Sequence, residues 1–230
     1  MVTAGAVIAG TAGTAAAAPA SRSSDQQLAK AGVLVRSDFP GGWSQAKRDD
    51  SSDASVQQAA TKIPGCAQFV KFSKTNKQNP RAESPEFTLG QSSVDNTANV
   101  FPSVKAATTA MTTFGSSALP ACLDKLFTSV FNAQFAADPK TAEQITGLGV
   151  KINRLRGIKI GDKAIAYEGV VDVNLTDGST ETIGLGYIAI QVGRAVSGFT
   201  YSSDSDISAA LQPAIVSSVA RLKKAVGTSS

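Results

Sequence analysis

Three strand patterns follow one another closely in the second half of the chain, at residues 165–175, 183–192 and 196–201. In the first, apolar side chains alternate with polar ones, which is typical of a strand with one buried face. The second is apolar on both faces, which indicates a central strand. Asp177-Gly178 is the strongest hairpin signal in the chain, and Gly193-Arg194 suits a two-residue turn. Strands joined in this way pair antiparallel, so the sequence predicts an antiparallel sheet.

Further strand patterns extend this sheet. Residues 86–90 and 94–100 alternate and favour a hairpin between them. Residues 144–160 contain another strand, which Arg154–Gly157 interrupts in a way that predicts a bulge. The sequence therefore predicts five or six antiparallel strands.

Helical spacing of apolar residues marks the other elements. The predicted helices cover residues 55–62, 66–72, 104–114, 119–135 and 207–222, and Pro213 is expected to split the last of them. The predicted fold class is α+β, with an antiparallel sheet and helices packed on one side of it.

The amino terminus has the pattern of an export signal. Residues 1–20 are uncharged and rich in small residues, and Ala18-Pro19-Ala20 fits the signal peptidase pattern. The basic segment that normally precedes such a run is missing, which indicates a signal peptide truncated at its start; an uncleaved Ala/Gly-rich tail is the alternative. The predicted organisation is a signal peptide at 1–20, a linker at 21–31, one domain at 32–226 and a tail at 227–230, in a secreted or cell-envelope protein.

Cys66 and Cys122 are the only cysteines. In an exported chain a single pair is most simply a disulfide, and closing a loop of this length would stabilise the fold by about 4 kcal/mol. Both residues lie in predicted helices, so the bridge would join helix to helix. Two free buried thiols are the alternative.

The absence of histidine excludes several kinds of chemistry. Ser-His-Asp and Cys-His catalysis, His-ligated zinc and a histidine proton shuttle all require that residue. Two cysteines are also too few for a thiolate zinc site or an iron–sulfur cluster. We therefore expect neither metal nor cofactor. We also expect a monomer, and a chain that does not span a membrane, since the uncharged run at residues 1–20 is rich in Gly, Thr and Ala and would insert weakly.

Several segments resemble a known family. They read DFPGGW, SPEFTLG, SSVDNTANVFPSVKAATTAM, PACLDKLF and IQVGRAVSGFTY, within residues 32–225. In this order they resemble secreted actinobacterial sensor-domain proteins related to the extracellular domain of PknH-type Ser/Thr kinases. The resemblance implies a sheet and helices enclosing a cleft for an unidentified ligand, and it implies no catalytic residues. The kinase domain carries two disulfides, whereas this chain allows one.

An apolar cleft between sheet and helices is the predicted ligand site, and ordinary core packing is the alternative role for each of its residues. The candidate wall residues are Phe114, Phe127, Phe131, Tyr187, Phe199 and Tyr201.

The densest basic cluster of the chain, which has a formal net charge of +4, lies between residues 151 and 163. It could attract anionic lipid, a cell-wall polymer or an acidic ligand, or it could be a solvated edge strand that resists aggregation. Nucleic acid is not expected as a partner, because no aromatic residues interleave with the basic ones. The candidate anion-binding residues are Lys151, Arg154, Arg156 and Lys159.

Carboxylates are the remaining candidates for acid–base chemistry. Glu168 and Asp172 share a face of one strand but lie about 13 Å apart by strand rise, farther than glycosidase carboxylates do. The sequence thus favours an exported, non-catalytic ligand-binding or sensor-like domain. The alternatives are a surface protein-interaction module and, with less support, a carboxylate-dependent cell-envelope hydrolase.

Overall fold

Alternating side-chain burial along the long strands builds one antiparallel sheet of eight strands. The computed structural model describes residues 22–48 and 51–228. The strands are β1 (Ser44–Ala46), β2 (Arg81–Glu83), β3 (Glu86–Leu89), β4 (Ser92–Val100), β5 (Ile145–Leu155), β6 (Lys163–Leu175), β7 (Thr180–Val192) and β8 (Ala195–Ser203). Their order is β1-β3-β4-β8-β7-β6-β5, and β2 pairs with β4 beside β3.

The helices are α1 (Arg22–Ala31), α2 (Ser51–Lys62), α3 (Ala67–Asn76), α4 (Val104–Phe114), α5 (Leu119–Ala137), α6 (Pro139–Ala142) and α7 (Ser208–Thr228). The predicted α+β class and the antiparallel sheet are confirmed. The two strands beyond the predicted six are β1 and β2, which have three residues each and are too short to show an alternating pattern.

The predicted turns set the order of the central strands. Gly178 and Gly193 adopt positive φ angles of 86° and 55°, which only glycine adopts without steric cost. These turns join β6 to β7 and β7 to β8 in register, with Tyr167 opposite Tyr187 and Ile188 opposite Phe199. Both predicted hairpins are confirmed, as is the β3–β4 hairpin.

Helices cover both faces of the sheet, whereas the sequence predicts one covered face. Ile190 and Phe199 pack against α1 and α7 on one face, and Ala189 and Tyr167 pack against α4 on the other. The cause is that β7 is apolar on both sides, and each side needs a helix to exclude water. We name these the α7 face and the α4 face.

The predicted linker at residues 21–31 is wrong over its described part. Residues 22–31 form α1, in which Leu28 and Ala29 are buried in the core and Asp25 forms an ion pair with Arg194. The composition is polar because only one stripe of this helix faces the sheet. The predicted signal peptide at 1–20 lies outside the described residues. Residues 227 and 228 of the predicted tail belong to α7.

Two local predictions are also wrong. Helix α7 continues through the exposed Pro213, because burial of Leu211, Ile215 and Val219 outweighs one lost backbone hydrogen bond. The expected bulge at Arg154–Gly157 is absent from β5, whose register shifts between Ile145 and Gly147 instead. The strand ends at Leu155 because Gly157, with φ of 80°, turns the chain away.

The Cys66–Cys122 disulfide is present, with a Cα–Cα distance of 5.2 Å. Cys66 immediately precedes α3 and Cys122 lies in the first turn of α5. With Val70 and Leu126, the two cysteines form a small apolar cluster separate from the main core. The bridge therefore fastens α3 to α5, as the sequence predicts.

Candidate functional site

An apolar groove opens between α7 and the β5–β6 loop, residues 156–162, and encloses about 700 Å³. We name it the α7 groove. Its floor is the α7 face of the central strands, formed by Ile188, Ile190 and Tyr201. These side chains share one face because they lie at alternate positions of paired strands.

Helix α7 forms one wall. Leu211, Ile215 and Val219 recur every four residues, so they form a stripe that packs on the sheet. The next stripe, Val216, Ala220 and Lys223, lines the outer part of the groove, and Val216 keeps 50% of its surface exposed. An exposed valine at that position leaves the groove with an apolar entrance.

The β5–β6 loop forms the opposite wall through Ile158 and Ile160. The backbone N–H of Asp162 donates to the Gln191 carbonyl at 2.8 Å, and its carboxylate accepts from the Gly193 N–H at 2.6 Å. Gly161, with φ of 69°, lies so close to the Gln191 backbone that a side chain would clash there. The loop is therefore attached to the sheet along its second half.

A hydrogen-bond network on the other side of α7 joins the helix to residues 32–38, which precede β1. The Asp38 carboxylate accepts from the Arg221 guanidinium at 2.5 and 2.8 Å and from the Ser217 hydroxyl at 2.9 Å. The Ser218 hydroxyl donates to the Gly32 carbonyl at 2.9 Å. These bonds fix the position of α7, and therefore of this wall of the α7 groove.

Tyr201 closes the floor at one end of the groove. Its ring covers Gly186, the residue opposite it on β7, and any side chain at position 186 would overlap that ring. Burial, and secondarily the negative charge of Glu168, raise the pKa of Tyr201. Its hydroxyl therefore stays protonated at neutral pH and can donate a hydrogen bond.

The two ends of the groove differ in charge. Helix α7 runs antiparallel to β8. It begins at Ser208, near Tyr201, and its C-terminal end approaches Gly193. Lys223 and Lys159 line the groove toward that far end, and both are exposed. Positive charge thus lies at one end and the Glu168 carboxylate at the other, and none of the acidic residues that the structure describes lines the groove itself.

The structure does not bring the six predicted ligand-binding residues together. Tyr201 lines the α7 groove, whereas its neighbour Phe199 is fully buried in the core. Phe114 and Tyr187 meet on the α4 face with ring centroids 5.5 Å apart. There Tyr187 is buried deeply enough for its pKa to be raised. The other two, Phe127 and Phe131, lie on α5 with their ring centroids 6.5 Å apart.

The predicted basic cluster is also divided. Lys151 and Arg154 project to opposite faces of β5 because they lie three positions apart on a strand whose side chains alternate between faces. Arg154 donates to the Gly115 carbonyl at 2.8 Å, at the C-terminal end of α4, where a cation suits the helix dipole. Arg156 is exposed in the β5–β6 loop, and Lys159 lines the α7 groove. The strand itself is an edge of the sheet, with β6 as its only partner in the described part of the chain.

Sequence reasoning missed most of this groove. Its loop wall depends on Ile158 and Ile160, two isoleucines among charged residues. Isolated apolar residues in a charged loop are a usable signal, because water would surround them unless the loop packs against something.

A second groove, of about 690 Å³, lies between α3 and α4. Most of its lining side chains are polar, among them Lys71, Asn76 and Lys105. Within residues 22–48 and 51–228, no three His, Cys, Asp or Glu side chains come together as metal ligands would. No helix of that part of the chain combines the length and hydrophobicity needed to cross a bilayer.

The fold and the groove define an α+β domain with an apolar groove on the α7 face of its sheet. Comparison with models of known families and with curated proteins found no match. Among solved structures, the chain is similar to the extracellular domain of PknH from Mycobacterium tuberculosis, with 9% sequence identity and a TM-score of 0.32. The matched part covers 64% of this chain and 64% of that domain. This is a weak structural resemblance, and the relationship to PknH-type sensor domains stays a prediction.

Proposed function

We propose that the chain is an exported, non-catalytic binding domain of sensor-like type, and that the α7 groove is its ligand site. The observation that carries this proposal is the groove itself. Its volume of about 700 Å³ falls within the range of small-molecule sites, which are apolar with a few polar groups. Tyr201, Gln212 and Lys223 are such groups here.

The disulfide supports the exported location. Cys66 and Cys122 are bonded, and structural disulfides persist in oxidising compartments outside the cytoplasm. The signal-peptide pattern in residues 1–20 agrees with this location.

The lining supports binding rather than catalysis. General acid–base catalysis most often uses histidine or a carboxylate. The chain has no histidine, and no Asp or Glu among residues 22–48 and 51–228 lines the groove.

Native mass spectrometry of the protein purified from its own culture medium tests the proposal directly. We expect a reproducible extra mass that organic solvent extracts, and the intact mass also reports the mature amino terminus. A protein that carries no extra mass and fails to bind an apolar probe such as N-phenyl-1-naphthylamine contradicts the proposal.

A groove-filling variant locates the site. Ala220 lines the groove and is exposed, so Ala220→Trp introduces an indole into the ligand space without opening the core. We expect at least a tenfold loss of probe affinity, measured by fluorescence titration. Ala133→Trp is the matched control, since Ala133 is exposed on α5. Equal losses in both variants, or in neither, would show that the probe binds elsewhere.

A further inference from the structure

We infer that the α7 groove selects a single-chain anionic amphiphile, a free fatty acid, whose carboxylate lies at the lysine end and whose alkyl chain lies along α7. This inference rests on the proposed function and names the ligand class of the same site. It is carried by the shape of the groove, by its aliphatic lining and by the distribution of charge along it.

The groove is long and follows one helix. Its lining residues on α7 run from Ser208 to Lys223, which is about 22 Å at the rise of an α-helix. A groove that follows one helix over this length suits one extended chain better than a compact multi-ring molecule.

The lining is aliphatic along its middle. The floor and both walls present isoleucine, leucine and valine there. A flexible alkyl chain needs contact with methyl groups and no hydrogen bonds, whereas a sugar or a nucleotide would leave buried polar atoms unpaired. The polar side chains Ser208 and Gln212 lie toward the Tyr201 end, and the lysines lie at the other.

Charge orients such a ligand. Lys159 and Lys223 are the charged groups that line the groove, and they would attract a carboxylate. Glu168 lies near Tyr201 at the opposite end and would repel it. Asp162 is the acidic residue closest in sequence to Lys159, but its carboxylate already accepts the Gly193 N–H and it does not line the groove.

A chain-length series tests the alkyl part. Octanoate, decanoate and laurate are titrated calorimetrically below their micellar concentrations. Each buried methylene contributes about a fourfold gain in affinity, so each step of two methylenes should tighten binding about fifteenfold until the groove is filled. An affinity independent of chain length would overturn the inference.

A head-group series tests the charge. We expect laurate to bind more tightly than dodecyl maltoside, and dodecyl maltoside more tightly than dodecyltrimethylammonium. Lys223→Glu should lower the affinity for laurate about fivefold, the scale of an exposed ion pair. The double variant that also carries Lys159→Glu should lower this affinity further. Neither variant should change the affinity for dodecyl maltoside.

Lys224→Glu is the matched control, because Lys224 is the neighbouring exposed lysine on α7 and does not line the groove. It should leave the laurate affinity unchanged. If the three dodecyl amphiphiles bind equally and Ala220→Trp weakens all of them, the inference fails and the proposed function stands. If none of them binds, the inference fails, and the proposed function fails with it only when the protein also carries no extractable mass and does not bind N-phenyl-1-naphthylamine.

Discussion

Asp38 is the most deeply buried carboxylate in the described part of the chain, and it couples α7 to the start of the domain. Burial opposes its ionisation, but hydrogen bonds from Arg221, Val35 and Ser217 outweigh that effect and hold its pKa below the usual value. A carboxyl group with a lowered pKa stabilises the fold above its unfolded pKa of about 3.9, and that stability is lost as the pH falls through the folded value.

We predict that Asp38→Asn lowers the free energy of unfolding at pH 7 by about 1–3 kcal/mol, because Arg221 loses a charged acceptor. Urea denaturation at pH 7 and at pH 3 measures the effect. The difference from wild type should be smaller at pH 3, which lies below the unfolded pKa of Asp38, because part of the ionic stabilisation is lost there. Asp204→Asn, at an exposed position in the β8–α7 loop, should behave like wild type at both values. A deficit that does not depend on pH would contradict the ionic role of Asp38.

Gly186 and Tyr201 form a second coupled pair. Because the Tyr201 ring occupies the space of a side chain at position 186, Gly186→Ala should move the ring and lower the stability by about 1–3 kcal/mol. The same variant should weaken probe binding, because Tyr201 is part of the groove floor. Gly149→Ala is the control, since a methyl group there makes only ordinary contacts with Asp172. Thermal unfolding and probe titration separate the two effects, and unchanged values in both would refute the coupling.

At this scale the sequence predicts which residues are apolar but not what covers them. Trp43 is buried in the core, where its ring packs against that of Phe39 with the ring centroids 4.8 Å apart. Phe199 and Tyr201 lie two residues apart on one strand face and look alike in sequence. One is buried and the other lines the groove because α7 covers only part of that face, which depends on tertiary structure alone.

The disulfide acts at the scale of elements, since it joins α3 and α5 across a sequence separation of 56 residues. We predict that Cys66→Ala lowers the free energy of unfolding by about 2–4 kcal/mol, mainly by freeing the unfolded chain. Thermal unfolding with and without reductant measures this. Reductant should lower the midpoint of wild type and leave that of Cys66→Ala unchanged. Equal midpoints for reduced and oxidised wild type would contradict the prediction.

Elements with strong periodicity were predictable, and elements defined by packing were not. The hairpins follow from Gly178 and Gly193, and α4 follows from its apolar stripe and the Ser103 cap, whose hydroxyl accepts the Ala106 N–H at 3.1 Å. Helix α1 was missed because Leu28 and Ala29 are its main buried residues, too few to give the sequence a recurring apolar pattern. The continuous α7 was missed because a local rule for proline cannot include the burial on either side of Pro213.

For the whole molecule, the two covered faces predict an order of local stability. Strand β7 is hydrogen-bonded to β6 and β8 and packed between α4 and α7, whereas β5 lies at the edge. Native-state hydrogen exchange should find the slowest amides at Ala189–Gln191, with opening energies near that of global unfolding. Amides of β5 that point away from β6 should exchange much faster. Comparable protection in β5 and β7 would mean that β5 is paired with another strand in solution.

The pairing of β4 with β8 has a consequence for synthesis. It joins residues far apart in the chain, such as Ser93 and Ser202, which are 109 positions apart and share a hydrogen bond. A ribosome releases the earlier strand long before the later one, so the nascent chain cannot close its sheet until β8 has emerged, and such long-range pairing is slow. During that interval the sheet lacks β8, so the nascent chain stays in the unfolded form that the export proposed above would require.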